Sequence, residues 1–470
     1  MARKAITCLA ALAFAGTVRA AEAPEHVLAG SDTVLDSIVQ EALAKSPEYG
    51  RARAAVAADE ERIPQAGALP DPMLTLGIQN DGFSSIQIGT METSYWQVMV
   101  TQGFPWPGKR GARSEAARAE AKVTQAQLER IRLSTVAEVE RAYVDLLRVR
   151  DQLKLQDKLE TLWKQAEVTA RARYEVGAAA QSDVLRAQLE RTRLRQQRVA
   201  LESTERTRIE TLNRLRLHPL HEPIATTKTL ADISLPPPRA ADQMVEDAEK
   251  RSPELAQAKL SVVAAERRVD VAKKDRFPDF LVSAGVMPRG SLEPMWLATV
   301  GITLPIFSGS KQSRAVAENM NRLESETQGE ESTAQVVRLR AQERQTLLTA
   351  LLDTARLYAG GLLLQSDATV QSTMAQYQVG KVTFASVLEA LGGLLADDGG
   401  YLDTLAQVQR VAIAQQEVSL EPVATLTAVA STGSVPGAGG MGGGQRGSAS
   451  GGQEQAPAAA PSGGGTSGSM

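Results

Sequence analysis

Residues 112–176 read ARSEAARAEAKVTQAQLERIRLSTVAEVERAYVDLLRVRDQLKLQDKLETLWKQAEVTARARYEV, and this stretch decides the fold. Gly108 to His218 contains no proline, and between Ala112 and Val176 there is no glycine either. With both breakers absent, roughly 64 residues at about 1.5 Å each give a helical rod near 100 Å long. Val139, Leu146 and Leu153 recur every seven residues, with Ala142, Val149 and Trp163 supplying partner positions, as a coiled seam requires. Such a rod does not fold as a globule. Gly177 interrupts the pattern and helical spacing resumes at once, which predicts a hairpin with its tip there.

Outward from this rod, the chain is written twice with a period of roughly 200 residues. Ser46-Pro47-Glu48 recurs as Ser252-Pro253-Glu254, and Leu69-Pro70-Asp71 as Phe277-Pro278-Asp279. Phe104-Pro105 recurs as Leu304-Pro305, Tyr174-Glu175-Val176-Gly177 as Tyr377-Gln378-Val379-Gly380, and Val184-Leu185 as Val387-Leu388. In the second copy Leu348, Ala355 and Leu362, with Leu351 and Tyr358, repeat the seam, and Gly380 marks the second tip. The proline run Leu235-Pro236-Pro237-Pro238 joins the copies, giving repeats over 21–235 and 236–428.

Each repeat also carries two strand candidates. Leu74, Leu76 and Ile78, then Trp96, Val98 and Val100, alternate with polar or small residues; Phe280, Val282, Ala284 and Val286, then Trp296, Ala298, Val300 and Ile302, do the same. Period 2 over about nine residues fits tilted membrane strands with one apolar face, and Tyr95, Trp96 and Trp296 sit where an aromatic girdle would lie. A half-buried soluble hairpin is the plainer alternative. Four strands cannot close a barrel, and an open edge in lipid leaves backbone groups unpaired at several kcal/mol each, so several copies must complete it together.

The ends and the composition narrow the class. Arg3 and Lys4, the apolar run from Ala5 to about Gly16 and the small-residue spacing Val18-Arg19-Ala20 predict a cleavable secretory signal over 1–20. Cys8, the single cysteine, lies inside it, so the mature chain has no thiol or disulfide chemistry. No later stretch approaches 18 unbroken apolar residues, so no helical anchor is expected. Residues 429–470 form a Gly/Ser/Pro/Ala tail expected to be disordered. With 52 basic against 55 acidic residues the chain is no general nucleic-acid binder. Between Gly108 and His218, 24 basic residues face 16 acidic ones, which predicts a solvated face or complementary packing of hairpins. No nucleophile, metal or acid-base constellation points to an enzyme or a cofactor.

Signal, tandem repeats, four short strands and two rod-length hairpins tipped at Tyr174-Glu175-Val176-Gly177 and Tyr377-Gln378-Val379-Gly380 together resemble the outer membrane efflux protein (TolC) family. The resemblance implies a mainly α protein with a small β part. It further implies a homotrimer forming a 12-stranded barrel in outer-membrane lipid and an α-helical barrel in the periplasm. The implied function is the exit duct of a tripartite efflux system, working with a periplasmic adaptor and an inner-membrane pump of the proton-driven RND type. A drug-efflux or type I secretion duct, and a coiled-coil tether that conducts nothing, are the alternatives. The turn Phe104-Pro105-Trp106-Pro107-Gly108-Lys109 looks like that of members serving heavy-metal pumps, which favours cations as cargo. Gly103-x4-Gly108-Lys109 is not a phosphate-binding loop, because Arg110 replaces the magnesium-holding Ser/Thr and two prolines remove backbone donors.

By the same resemblance Asp183 and Tyr377 form a polar link that holds the tunnel shut, and Ser386 and Glu389 mark its constriction with a single ring of carboxylates. Gly177, Ala179, Ser182, Gly380 and Thr383 are expected to dock the adaptor. The competing reading is structural: Ser182 or Asp183 caps the returning helix, and Ser386-x-x-Glu389 is a capping box. Gly392-Gly393 and Gly399-Gly400 weaken the second return arm. His218 and His221 read as a helix end and a loop residue and not as metal ligands.

Overall fold

The computed structural model describes residues 32–237 and 239–422. The signal segment with Cys8 and the C-terminal tail lie outside the described residues. Each repeat runs helix, helix, strand, strand, helical hairpin. The first comprises α1 (Thr33–Lys45), α2 (Pro47–Gly67), β1 (Met73–Gln79), β2 (Tyr95–Phe104), α3 (Lys109–Glu175) and α4 (Gln181–Leu215). The second comprises α5 (Ala241–Arg251), α6 (Pro253–Lys274), β3 (Asp279–Arg289), β4 (Leu292–Thr303), α7 (Gln312–Leu357), α8 (Leu363–Gln378) and α9 (Phe384–Glu417).

The repeated Ser-Pro-Glu string is a helix start. Ser46 and Ser252 are N-caps whose hydroxyls accept from the Tyr49 and Leu255 amides at 3.3 and 3.2 Å. Pro47 and Pro253 follow at the first helical position, where the missing N–H costs nothing. Glu48 and Glu254 place negative charge on the positive end of each helix dipole.

α3 is the rod, 67 residues without a break. Val139 and Leu146 are fully buried, but Leu153 is only half-buried, and the buried stripe continues through Leu155, Leu159, Trp163, Ala166 and Ala170. A straight helix drifts about 20° per heptad, so a strict seven-residue seam does not hold over this length. The second rod departs further. A π turn at Tyr358–Leu362 separates α7 from α8, and Leu362 is exposed. Its extra residue rotates the face, after which Val370, Met374 and Tyr377 carry the burial.

Contrary to expectation, one helical run, Gln312–Gln378, contains a window long and apolar enough to cross a membrane by length and composition. The run is nonetheless interrupted by Asp353 and Arg356, and its Leu348 and Leu352 pack with Val408 and Val411 of α9.

The main core surrounds the middle of α3, where Val139, Tyr143, Leu146 and Leu147 meet Leu35 and Ile38 of α1, Leu212 of α4 and Leu405 and Ile413 of α9. Charge complementarity joins the helices: Arg150 to Glu205 at 2.7 Å across α3 and α4, Arg148 to Asp403 at 2.6 Å across α3 and α9. Lys158 reaches Asp367 and Asp398 at 3.4 and 3.2 Å, tying the first hairpin to both arms of the second. Buried Arg344 donates to the Ala414 and Glu421 carbonyls at 3.1 and 3.0 Å and holds the end of α9, with burial lowering its pKa to about 10.

The four strands form one antiparallel sheet in chain order. The seam between repeats pairs β2 with β3 in the register Val98 with Val286, Val100 with Ala284 and Gln102 with Val282. Register therefore places Leu74, Leu76, Ile78, Trp96, Val98 and Val100 on one face with Val282, Ala284, Val286, Trp296, Val300 and Ile302. The other face is mixed: it carries Thr75, Gly77, Gln97, Thr101, Ser283, Thr299 and Gly301 together with Met73, Met99, Leu281 and Leu297.

Candidate functional site

The two hairpin tips lie together. Gly177 and Gly380 take left-handed backbone, φ +73° and +79°, which ends α3 and α8 and turns the chain into the return arms. α4 then starts from Ala180 and α9 from Thr383, neither with a side-chain cap. This removes the capping readings. Asp183 lies in the first turn of α4 and Ser386 in that of α9, both already helical, so neither Ser182, Asp183 nor Ser386 is an N-cap. Ser386 approaches the Thr383 hydroxyl at 3.5 Å, while Glu389 is exposed beside a groove between α8 and α9 that also holds Ser386, Thr369 and Asp397.

Asp183 is free to do what capping would have prevented. The Tyr377 hydroxyl donates to its Oδ2 at 3.2 Å, linking the first hairpin to the second. Tyr377 is 1% exposed and packs edge-on against Phe384 with ring centroids 5.4 Å apart. Burial, then the Asp183 charge and its hydrogen bond, push the phenol up to about 12, so it stays a donor across the physiological range.

Arg173, in the last turn of α3, completes the junction and was not singled out by sequence. Its guanidinium carbon sits 4.6 Å from the Tyr377 ring centroid, and it donates to the Ala178 carbonyl at 3.0 Å and to the Tyr377 carbonyl. One cation thus bonds a carbonyl in each turn, at the negative ends of two helices, the Tyr377 carbonyl also accepting from the Gly380 amide at 3.1 Å. Gly380 has its own reason to be glycine here, since a Cβ would stand 3.1 Å from the Arg173 guanidinium. A helix-terminal Arg bonded to backbone has no sequence signature beyond its position. Among the expected adaptor-docking residues Gly177, Ser182, Gly380 and Thr383 are exposed and Ala179 is half-buried, and the neighbouring Val379 is exposed at 70%.

The strand-to-helix turn is a second built site. Gly108 takes φ +93° and starts α3. Trp106 stacks on Phe277 and Phe280, each with centroids 5.6 Å apart, and its amide donates to Asp279 at 2.9 Å. Buried Lys109 donates to the Phe277 carbonyl at 2.7 Å and to Asp279 at 2.9 Å. The Phe-Pro-Trp-Pro-Gly-Lys string therefore fastens the first repeat to the Phe277-Pro278-Asp279 string of the second. His218 and His221 do not converge: they bond Glu222 and Glu210 separately, at 3.0 and 3.2 Å. Among the described residues no metal-binding cluster exists.

The family model for outer membrane efflux proteins matches residues 38–217 and 244–435. The fold is shared with CusC, whose structures address transmembrane channel formation, at TM-score 0.70 and 17% identity over 82% of this chain and 92% of that one. VceC, an outer membrane protein of Vibrio cholerae, gives TM-score 0.70 and 17% identity over 82% and 96%. The open-state MtrE outer membrane channel of Neisseria gonorrhoeae gives 0.69 and 16% over 82% and 89%. No curated protein matches the sequence.

Proposed function

Since the chain belongs to the outer membrane efflux protein family, and so is an outer-membrane efflux channel with its helical part in the periplasm, we propose that three copies form one passive duct. The observation that carries this reading is the two-faced sheet, almost wholly apolar across all four strands on one side and mixed on the other, where Thr, Ser, Gln and Gly stand among Met and Leu, with β1 and β4 left as open edges. Lipid against the first face and water against the second suit a barrel wall, and three sheets of four strands close it without an edge. A tether that conducts nothing has no use for the polar face.

The duct moves solute from an adaptor and an inner-membrane pump, of the proton-driven RND type, with no chemistry on this chain. Asp183, Tyr377 and Arg173 hold the two hairpins of each copy together at the periplasmic end, which keeps the mouth closed. The tips, Gly177, Ala179 and Ser182 with Gly380 and Thr383, dock the adaptor, and Glu389 with Ser386 faces solute at the constriction. Cations are the favoured cargo on the likeness of the Phe104-Pro105-Trp106-Pro107-Gly108-Lys109 turn alone, and a single ring of Glu389 carboxylates argues against strong cation selectivity.

The test pairs the mass of the detergent-extracted species, by light scattering corrected for bound detergent, with single-channel conductance in a planar bilayer. A threefold mass and a small conductance that rises in Asp183→Ala are expected. A monomer without conductance would sink the duct.

A further inference from the structure

Directly below the sheet, the helices joined to β2 and β3 enclose a groove that conduction through the duct does not require. Gly108, Gly111 and Ala112, at the start of α3, form one wall, and Lys273, Lys274 and Phe277, at the end of α6, form the other. The aromatic fastening sets which side of the molecule it lies on. Trp106 stacks on Phe277 and on Phe280, and Phe280, paired with Phe104, belongs to the apolar face of the sheet, so the Phe277 wall continues that face downward. Lys273 has only a 3.8 Å ion pair with Asp270, which Arg267 shares at 3.6 Å, and Lys274 has no ion-pair partner among the described residues. The Lys274 ammonium stands 5.9 Å from the Phe277 ring centroid and 3.7 Å from where a Cβ at Gly108 would be. On a different face of the same two helices charge is settled within the chain, Arg113 with Asp275 at 3.2 Å and Arg268 with Glu120 at 2.9 Å.

Two lysines closing a helix answer its dipole, but the internal repeat shows that a helix in this place does not need them. Residues 69–79 align with 277–287, which puts Gln65 and Ala66 where the second repeat has Lys273 and Lys274, and α2 ends with no basic residue in its last turn. We propose that the groove holds the phosphate of an anionic glycerophospholipid from the periplasmic leaflet of the outer membrane, an inference that rests on the reading of the apolar face as the one in lipid. Lys273 and Lys274 supply the cations, and the wall left bare at Gly108 and Gly111 admits the headgroup between the two helices. The acyl chains run up past Phe277 and over Trp106 and Phe280. Both halves of the site are needed. A soluble phosphate meets the lysines but leaves the aromatic wall in water, and a zwitterionic lipid brings its own cation against them. A basic residue beside an anionic leaflet is worth about fivefold in affinity.

The experiment uses the full chain, extracted in detergent, stripped of lipid and titrated under native mass spectrometry with phosphatidylglycerol or with phosphatidylcholine of the same acyl chains. One phosphatidylglycerol per copy is expected, bound several-fold more tightly than phosphatidylcholine. Lys273→Gln with Lys274→Gln should remove most of that preference, about fivefold per lysine. Arg322→Glu on α7, the same change of two charges at an exposed ion pair, should leave it intact. Gly111→Glu, where an added Cβ meets nothing within 4 Å, sets a carboxylate opposite the lysines without replacing them and should lower the preference likewise. A threefold mass with no preference for phosphatidylglycerol, or with one that survives both groove variants, overturns the site and leaves the duct standing. Displacement of the lipid by equimolar glycerol phosphate would make this a site for soluble phosphate and overturns the lipid. A monomer that binds neither lipid overturns both the site and the duct.

Discussion

At the residue scale the tip junction is held by one hydroxyl, one carboxylate and one guanidinium, and the three are not equivalent. Asp183→Ala leaves the buried Tyr377 hydroxyl without its acceptor, which costs about 1–3 kcal/mol. Tyr377→Phe leaves a half-exposed carboxylate that water reaches, so about 1 kcal/mol is expected. Hydrogen exchange at the tips should therefore rise more in Asp183→Ala than in Tyr377→Phe; the reverse order would mean that the link is not what holds them. Arg173→Met keeps the aliphatic stem but removes the side-chain donor from two carbonyls and the cation from the Tyr377 ring. Charge-assisted hydrogen bonds are worth about 1.5–3 kcal/mol each. Tip exchange and basal conductance should both exceed those of Asp183→Ala, and an Arg173→Met channel as tight as the native one would show the clamp to be idle. Asp183 and Tyr377 were legible through the family resemblance of the tips, not from any pattern of their own. Arg173 was not, since carbonyl clamping depends on where two turns meet in space. Ser386 was misread because a capping box is a four-residue pattern, and the helix had begun one turn earlier, after Thr383.

At the scale of the element, the two hairpins differ in how their arms are secured. The first relies on charge. Glu167 on α3 accepts from Arg191 and, at 3.1 Å, from Gln188 on α4, and the Arg191 bond holds its carboxyl below the usual range against the opposing effect of burial. Because folding depresses this pKa, the contribution is full above the ordinary value of 4.5 and fades as pH falls through the depressed one. Exchange in α4 around Ala187 and Leu194, corrected for intrinsic rate, should rise as pH falls below the ordinary value of 4.5 and through the depressed one. In Glu167→Gln that acid-dependent step should be missing, and a step of unchanged size would assign it to another carboxylate. The second hairpin relies on packing and is loosened by glycine. α9 runs unbroken through Gly392, Gly393, Gly399 and Gly400, and a Cβ at the first three meets nothing within 4 Å, whereas at Gly400 it would stand 2.5 Å from the Tyr358 hydroxyl. Gly392→Ala and Gly393→Ala should each stabilise the arm by about 1 kcal/mol, and Gly400→Ala should gain less or lose, as read by thermal denaturation. The absence of Gly and Pro made the rods legible. The π turn was not, because Gly360-Gly361 permits it without dictating it, and Leu362 kept its seven-residue spacing while the helix beneath it rotated.

For the whole molecule, the sheet is where sequence pattern and assembly meet. Period-2 alternation fixed the face of every strand, but the joining of repeats through β2 and β3, and the Trp106 fastening across that seam, come from pairing that no single strand encodes. The faces themselves make a test of the membrane reading that is independent of the tips. Val300 is 78% exposed on the apolar face, and an Arg there would meet lipid hydrocarbon at about 2–4 kcal/mol near the midplane, in each copy. Thr299, its neighbour in sequence, points to the opposite face, where an Arg would meet water. Val300→Arg should therefore lower the amount of assembled protein recovered from the outer membrane. Thr299→Arg should assemble normally, yet shift the reversal potential in a salt gradient towards anions, because every copy adds a positive charge to the lumen. Equal recovery of the two variants would place both faces in water and remove the barrel. Normal recovery of Thr299→Arg with no change in selectivity would place the polar face away from the conducting path.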